Sequence, residues 1–214
     1  LLGMIEQNRG VLHNMRGNFV AAEARYSNSL AAFDRANDQE GVSSVLNNLG
    51  MLYAKLGHYQ RAIETFQRSL LIAKSRNDSL VERIVTLNLA QVWIATGKLD
   101  QAEKACTECL NAARERNDHL TIAEAFKCRA RIERERGAFD ASIATLRIGI
   151  FEAEGIEDQL LQAEMLRELG QTSRALGNSA DARLAWREAA ESFEDVGAQY
   201  EAAEINALLA SLPA

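Results

Sequence analysis

The chain has 214 residues, of which 47% are hydrophobic, and its formal net charge is −6. An acidic balance disfavours non-specific binding to nucleic acid or to anionic membranes, because both need a basic surface. No apolar run approaches the roughly 20 residues of a membrane span. A single proline, with abundant Ala, Leu, Glu and Arg, favours helix throughout. Three cysteines are an odd and low number, so we expect a reducing, cytoplasmic location.

A turn-like stretch recurs along the chain with a period of 40 residues, at Gly17, Gly57, Gly97, Gly137 and Gly177. Each glycine lies between two segments with apolar residues at helical spacing. Glycine at such a junction fits a left-handed helix C-cap, where a Cβ costs energy. A helix–turn–helix unit repeated at this period predicts a solenoid, not separate globular domains.

Polar pairs divide the chain into predicted units over residues 1–38, 39–78, 79–118, 119–158 and 159–198. The first three units end in Asn-Asp and the fourth ends in Glu157-Asp158. Asn tolerates the left-handed conformation at a helix end, and Asp accepts hydrogen bonds from the first amides of the next helix. Each pair therefore predicts a helix stop followed by a helix start. Residues 199–212 are predicted to form a C-terminal capping helix. In the first helix of the chain, we expect Ile5, Leu12 and Met15 to face inward.

The second unit carries the residues that identify the repeat: Leu49-Gly50, Tyr53, Gly57, Ala62 and Phe66. This pattern resembles the tetratricopeptide repeat, although the family's usual period is about 34 residues and its closing proline is replaced here by Asn-Asp. The longer variant is similar to repeats of kinesin light chain, of peptide-pheromone receptors and of sensor arrays in bacterial regulators. The resemblance implies an all-α, right-handed superhelical solenoid of antiparallel helix pairs, with about five units and a capping helix forming one array over residues 1–214. Because the chain begins without Met and no polar cap precedes the first unit, we expect a fragment of a longer protein.

Members of this family are binding modules, so the resemblance implies a protein or peptide partner held as an extended segment in a concave groove. The array would be the sensing or scaffolding part of a larger signalling or regulatory protein. The alternative interpretation is self-association, in which the array forms a homodimer or packs on other domains of its own chain without a free peptide ligand. No arrangement of nucleophile, base or paired carboxylates supports an enzyme, and no cofactor or metal is expected.

The first helix of each unit lines the groove in the resembling arrays, which indicates where a ligand would bind. Asn8, Asn48 and Asn88 form a column with one residue per unit, and Asn47 and Gln91 lie beside it. Amide side chains both donate and accept hydrogen bonds, so the column is predicted to pair with a peptide backbone. The alternative is that these amides cap local backbone groups or are simply solvated.

A basic cluster is predicted in the fourth and fifth units, and it comprises Lys127, Arg131, Arg134, Arg167 and Arg174, with Gln171 among them. Spacings of three and four residues put each set on one helix face. On a net acidic chain such a cluster predicts binding of acidic side chains or of a C-terminal carboxylate. The alternative is that the cations pair with Glu124, Glu133, Glu135 and Glu168 and leave a neutral lattice.

Cys106 and Cys109 form a CxxC sequence, and His119 and Cys128 follow. Such a combination of cysteine and histidine is typical of a zinc or redox site. Cys106, however, takes the core position of Phe66 in the repeat, and buried cysteine behaves as a small hydrophobe. We therefore predict that these cysteines pack in the core.

Overall fold

The computed structural model describes residues 1–212, and these residues form α-helices joined by short turns, with no β-strand among them. The helices are α1 (Leu2–Met15), α2 (Phe19–Arg35), α3 (Gln39–Lys55), α4 (Tyr59–Ser75), α5 (Ser79–Ala95), α6 (Leu99–Arg114), α7 (His119–Glu135), α8 (Phe139–Gly155), α9 (Gln159–Ala175), α10 (Ser179–Asp195) and α11 (Gln199–Ala210). The all-α fold class predicted from the sequence is confirmed.

Two kinds of turn join the helices, and both follow from the local sequence. Gly57, between α3 and α4, has a φ of +74°, in the left-handed region that a Cβ disfavours. Asn77 has the same role between α4 and α5, with a φ of +55°. Asp78 then accepts a hydrogen bond at 3.1 Å from the backbone N–H of Val81 and caps α5. The pairs predicted to end one helix and start the next are confirmed. At the equivalent turn before α9, Glu157 has a φ of +57° and takes the position that Asn or Gly has in the other turns.

The helices pack into two compact units, each with its own core. The first unit spans Leu1–Gly97 and contains α1–α5. The second begins at Lys98 and contains α6–α11. The expectation that one array covers the whole chain stays a prediction. None of the described helices is long and apolar enough to cross a lipid bilayer.

The first unit has two layers of helices. In one layer α1 packs on α3 and α3 packs on α5, while α2 and α4 pack against these helices from the other layer. Between the layers, Tyr26, Leu46 and Phe66 are at most 2% exposed. Gly50 lets the Phe66 ring lie directly on the α3 backbone, since a Cβ at Gly50 would come within 2.5 Å of that ring.

The first helix departs from its predicted packing. Ile5 and Leu12 are 40% and 52% exposed, so the prediction that they face inward is wrong. The corresponding residues of α3, Val45 and Leu52, are completely buried because α2 packs against α3. The same side of α1 is open to solvent in the described structure. α1 instead places its glycines against α2, with Gly10 close to the Tyr26 ring.

The second unit repeats the two layers, with α7 packed on α9 and with α6, α8 and α10 packed against this layer from the other side. Leu146, Met165 and Trp186 fill its core and are fully buried. α11 packs on α10 through Ala202 and Ile205 and exposes the polar side chains of Glu204 and Asn206. The last described helix therefore has one buried face and one wet face.

Candidate binding surfaces

The predicted asparagine column lies on the α1–α3–α5 layer of the first unit. Asn8 is exposed, and Asn48 and Asn88 are half-buried. The three residues occupy the same register on helices that pack side by side. Each amide therefore remains accessible on one surface of this layer.

Two amide hydrogen bonds tie neighbouring helices of the layer together. Gln7 Nε2 donates to Ser44 Oγ at 2.7 Å and joins α1 to α3. Asn88 Nδ2 donates to Asn47 Oδ1 at 2.9 Å and joins α3 to α5. Asn47 thus positions Asn88, whose carbonyl oxygen and second N–H remain for other contacts. Gln91 lies half-buried one turn further along α5.

Five accessible side chains that flank the column on its own helices are uncharged. These side chains are Gln7, Val11, Ser44, Met51 and Ile84. None of these five carries a charge, and the exposed Arg9 beside Asn8 is paired with Glu6. Such a surface favours neutral groups over an acidic segment.

The basic cluster of the second unit begins with a buried triad around Lys127. The Lys127 ammonium lies 2.8 Å from Glu124 and 2.5 Å from Glu164, and its side chain is 6% exposed. Burial by itself lowers the pKa of Lys127, but the two carboxylates outweigh burial and raise it above the ordinary 10.5. Burial raises the pKa of Glu124, whereas Lys127 and Arg167 outweigh burial at Glu164 and lower its pKa. Lys127 is a charged group fixed between α7 and α9.

Glu168 forms the second half of this network and is 5% exposed. Arg134 Nη1 lies 2.5 Å from Glu168 and also donates to Gln171 Oε1 at 3.0 Å. Arg131 Nε lies 3.8 Å from the other Glu168 oxygen. Burial by itself raises the pKa of Glu168, but Arg131, Arg134 and Arg167 outweigh it and hold the pKa below the ordinary 4.5. The pairing alternative raised by the sequence is therefore seen for Lys127, Arg131 and Arg134.

The other two basic residues contact aromatic rings. The Arg167 guanidinium lies 5.8 Å from the centre of the Phe193 ring, and that of Arg174 lies 5.8 Å from the centre of the Trp186 ring. Among the described residues neither arginine forms an ion pair. Arg174 is exposed, whereas Arg167 is half-buried and also acts electrostatically on the buried carboxylates of Glu164 and Glu168. Arg174 is therefore the more accessible of the two cations.

A spacing of 37 residues recurs among the polar pairs that join neighbouring helices of a layer. Gln7 and Ser44, Lys127 and Glu164, and Arg134 and Gln171 are each 37 residues apart. This spacing is one repeat less about one helical turn of ~3.6 residues. Positions 40 residues apart do not pair Glu164 with Lys127, so the repeat period alone does not predict this contact. A search at 37 would have found it.

The cysteines lie in the core of the second unit. Cys106 is 2% exposed and Cys109 is 6% exposed, which confirms their predicted packing. The Cys106 thiol donates to the Ala125 carbonyl oxygen at 3.1 Å. Within residues 1–212, no group of three or more His, Cys, Asp or Glu side chains is arranged to hold a metal ion.

The helices, turns and repeat register correspond to a known family. Residues 2–75, which cover α1–α4, match the family model described as tetratricopeptide repeat. The first two helix pairs of the chain are thus tetratricopeptide repeats. Residues 82–136 of this repeat protein also match a model described as anaphase-promoting complex subunit 5. Tetratricopeptide repeat proteins are generally non-enzymatic modules for protein–protein interaction.

Solved structures share the fold of this chain at low sequence identity. The apo form of RapI is 13% identical over 97% of this chain and 76% of its own, with a TM-score of 0.64. BtubC from P. vanneervenii is 17% identical over 87% of this chain and 78% of its own, with a TM-score of 0.59. A kinesin light chain-type protein from P. anserina, with nearly identical TPR-like repeats, is 13% identical over 90% and 95%, with a TM-score of 0.57. These likenesses show the fold alone, and no curated protein matches the sequence.

Proposed function

We propose that the first unit binds an extended peptide segment of a partner protein along α1, α3 and α5. The observation that carries this proposal is the column of Asn8, Asn48 and Asn88, accessible in one register on adjacent helices. Amide groups satisfy both the N–H and the C=O groups of an extended backbone without selecting its side chains. The neutral side chains of Val11, Ser44 and Met51 beside the column fit a segment with apolar or small polar side chains. The hydrogen bonds through Gln7 and Asn47 hold the column in place before a ligand arrives.

Within the predicted basic cluster, this proposal assigns the binding of acidic groups of the partner to Arg167 and Arg174 alone. A ligand carboxylate at Lys127, Arg131 or Arg134 would have to displace buried carboxylates, and breaking a buried ion pair costs about 3–5 kcal/mol. The three cations and Gln171 therefore stabilise the contact between α7 and α9. Arg167 and Arg174 lie two turns apart on α9 and carry no competing ion pair in the described residues. They are the groups that we assign to an acidic side chain or a C-terminal carboxylate of the partner.

The wider setting of the proposal is a cytoplasmic signalling or regulatory protein in which this array is the sensing or scaffolding part. The three cysteines are free thiols, as a reducing compartment favours. The net charge of −6 favours a protein or peptide partner over nucleic acid or an anionic membrane.

The test is peptide binding by a double variant, Asn48→Ala with Asn88→Ala. Peptides are first selected from a random-sequence display library on the wild-type protein, and their affinities are then measured by calorimetry. Each lost hydrogen bond is worth about 0.5–1.5 kcal/mol, so we expect the dissociation constant to rise about tenfold or more. The melting temperature should fall by no more than about 2 °C, since both amides are accessible to water.

Two single variants serve as controls. Asn47→Ala breaks the same hydrogen bond to Asn88 but leaves both column amides in place, and Asn111→Ala removes an exposed amide on α6. Neither should weaken binding as strongly as the double variant. Unchanged affinity in the double variant, or unfolding in place of lost binding, would rule out the proposed role of the column.

A further inference from the structure

The outer face of α8 is apolar, and its residues are Ala141, Ala144, Ile148, Phe151 and Gly155. All five are exposed, with Ile148 at 49% and Phe151 at 72%. The corresponding residues of α6 are Gln101, Lys104, Glu108, Asn111 and Glu115, all polar. Packing within the second unit does not account for an exposed phenylalanine and isoleucine on neighbouring turns. A contiguous exposed apolar stripe of this kind marks an interaction surface.

The spacing along the stripe is that of a coiled-coil seam. Steps of three, four, three and four residues separate its members, so Ala141, Ile148 and Gly155 take heptad position a, and Ala144 and Phe151 take position d. Position g holds Asp140, Arg147 and Glu154, and position e holds Thr145 and Glu152. A seam of this pattern packs knobs-into-holes against another helix. Its small residues let the two helix axes approach closely.

The charges beside the seam select the orientation of a second copy. In a parallel pair each g residue meets the e residue of the next heptad, so Arg147 meets Glu152 of the second copy on both sides of the two-fold axis. In an antiparallel pair the g rows meet, which brings Asp140 against Glu154 and Arg147 against Arg147. In this register, which is centred on Arg147, each contact joins like charges and is repulsive.

Both partners of the parallel ion pair are available. Arg147 is exposed and forms no ion pair within the described part of the chain. Glu152 is half-buried, and one of its oxygens lies 2.9 Å from His119 Nδ1. The other oxygen is left for a second contact. Charge complementarity therefore favours another copy of this chain as the occupant of the seam.

We propose that two copies of the chain associate in parallel along α8, with Ile148 and Phe151 at the centre and Arg147–Glu152 ion pairs at the flanks. One helix pair buries less than the roughly 1,200 Å² of a standard stable interface. The dimer is therefore weak and forms reversibly at micromolar or higher protein concentration. This surface uses none of the proposed peptide-binding residues.

Sedimentation equilibrium from low to several hundred micromolar protein tests the apolar part of the interface. Phe151→Glu places a charge in the seam and should raise the dimer dissociation constant at least about tenfold. The matched control is Leu71→Glu, at the same repeat position on α4, because Leu71 is 71% exposed. This control should leave dimerisation unchanged, and both variants should keep the wild-type melting temperature. A wild type that stays monomeric throughout, or equal effects of the two substitutions, would overturn the proposal.

Charge reversal tests the parallel orientation. Arg147→Glu brings two carboxylates together at each flank and should weaken the dimer severalfold. Adding Glu152→Arg in the same chain restores opposite charges and should restore association. Folding of the double variant is checked by its melting temperature, because Glu152 contacts His119. If the folded double variant associates no better than Arg147→Glu alone, the parallel arrangement is wrong.

Discussion

Each unit contains a layer of adjacent helices, and the polar contacts that join these helices differ between the two units. In the first unit, neutral amide hydrogen bonds join α1 to α3 and α3 to α5. In the second unit, buried ion pairs around Lys127 and Glu168 join α7 to α9. An accessible amide keeps spare donors and acceptors that a ligand can reach, whereas the buried ions Lys127 and Glu168 are shielded from a ligand. The helix arrangement therefore does not by itself decide which surface remains open to a partner.

The difference also sets how each unit responds to substitution. A neutral hydrogen bond contributes about 0.5–1.5 kcal/mol, whereas removing one member of a buried ion pair costs about 3–5 kcal/mol. The α7–α9 contact should thus be more sensitive to loss of a single polar group than the contacts of α3 with α1 and α5. It should also be more sensitive to acid than those neutral contacts, because it contains a carboxylate of lowered pKa.

The largest effect is expected from Glu168→Gln. The substitution leaves Arg131 and Arg134 without their shared carboxylate in a buried contact, and it should reduce the free energy of unfolding by about 3 kcal/mol. Urea denaturation of the whole chain measures this. Glu124→Gln is the control and should cost less, since burial raises the pKa of Glu124 and Lys127 keeps Glu164.

The same variant has a defined pH dependence. The folded-state pKa of Glu168 lies below its ordinary value of 4.5, so its stabilisation is complete above that pH. The stabilisation is lost as the pH falls through the folded-state value. The difference between wild type and Glu168→Gln should therefore shrink on acidification below pH about 4.5. A difference that is constant with pH would mean that Glu168 does not act as a paired carboxylate.

A smaller effect, of opposite sign, is expected from Glu157→Gly. Glu157 is exposed and stands at a φ of +57°, which strains any residue with a Cβ. Relief of that strain, less the greater chain entropy of glycine, should stabilise the protein by about 0.5–1 kcal/mol. Asn77→Gly, at the equivalent turn of the first unit, should gain less, because Asn adopts this conformation readily. Thermal denaturation of the two variants measures both stability changes. Equal gains in stability would contradict the larger strain assigned to Glu157.

The smallest effect is expected from Asn47→Ala in the first unit. It removes the hydrogen bond to Asn88, but Asn88 is half-buried and water can replace the lost partner. The free energy of unfolding should fall by about 0.5 kcal/mol. If Asn47→Ala lowered the free energy of unfolding as much as Glu168→Gln does, the expected difference between the two kinds of layer contact would be wrong.

The sequence predicted the helices and their joints because each joint is local. Gly57, Asn77 and Asp78 act through their own backbone conformation or through the next turn of helix, so a 40-residue comparison locates them. It did not predict the exposure of Ile5, because burial depends on what packs outside the repeat. Nor did it find the contact of Lys127 with Glu164, since the offset between neighbouring helices is set by packing and not by the repeat length.

The Asn-Asp joints make the length of the chain adjustable in whole repeats. Residues 39–78 begin after Asp38 and end at Asp78. Deleting this block would place Asp38 before Ser79, which recreates the Asp-Ser junction that already starts α5. Duplication of the block would preserve every junction in the same way. Gene-level gain or loss of such blocks can therefore lengthen or shorten the row of column asparagines without any new turn having to evolve.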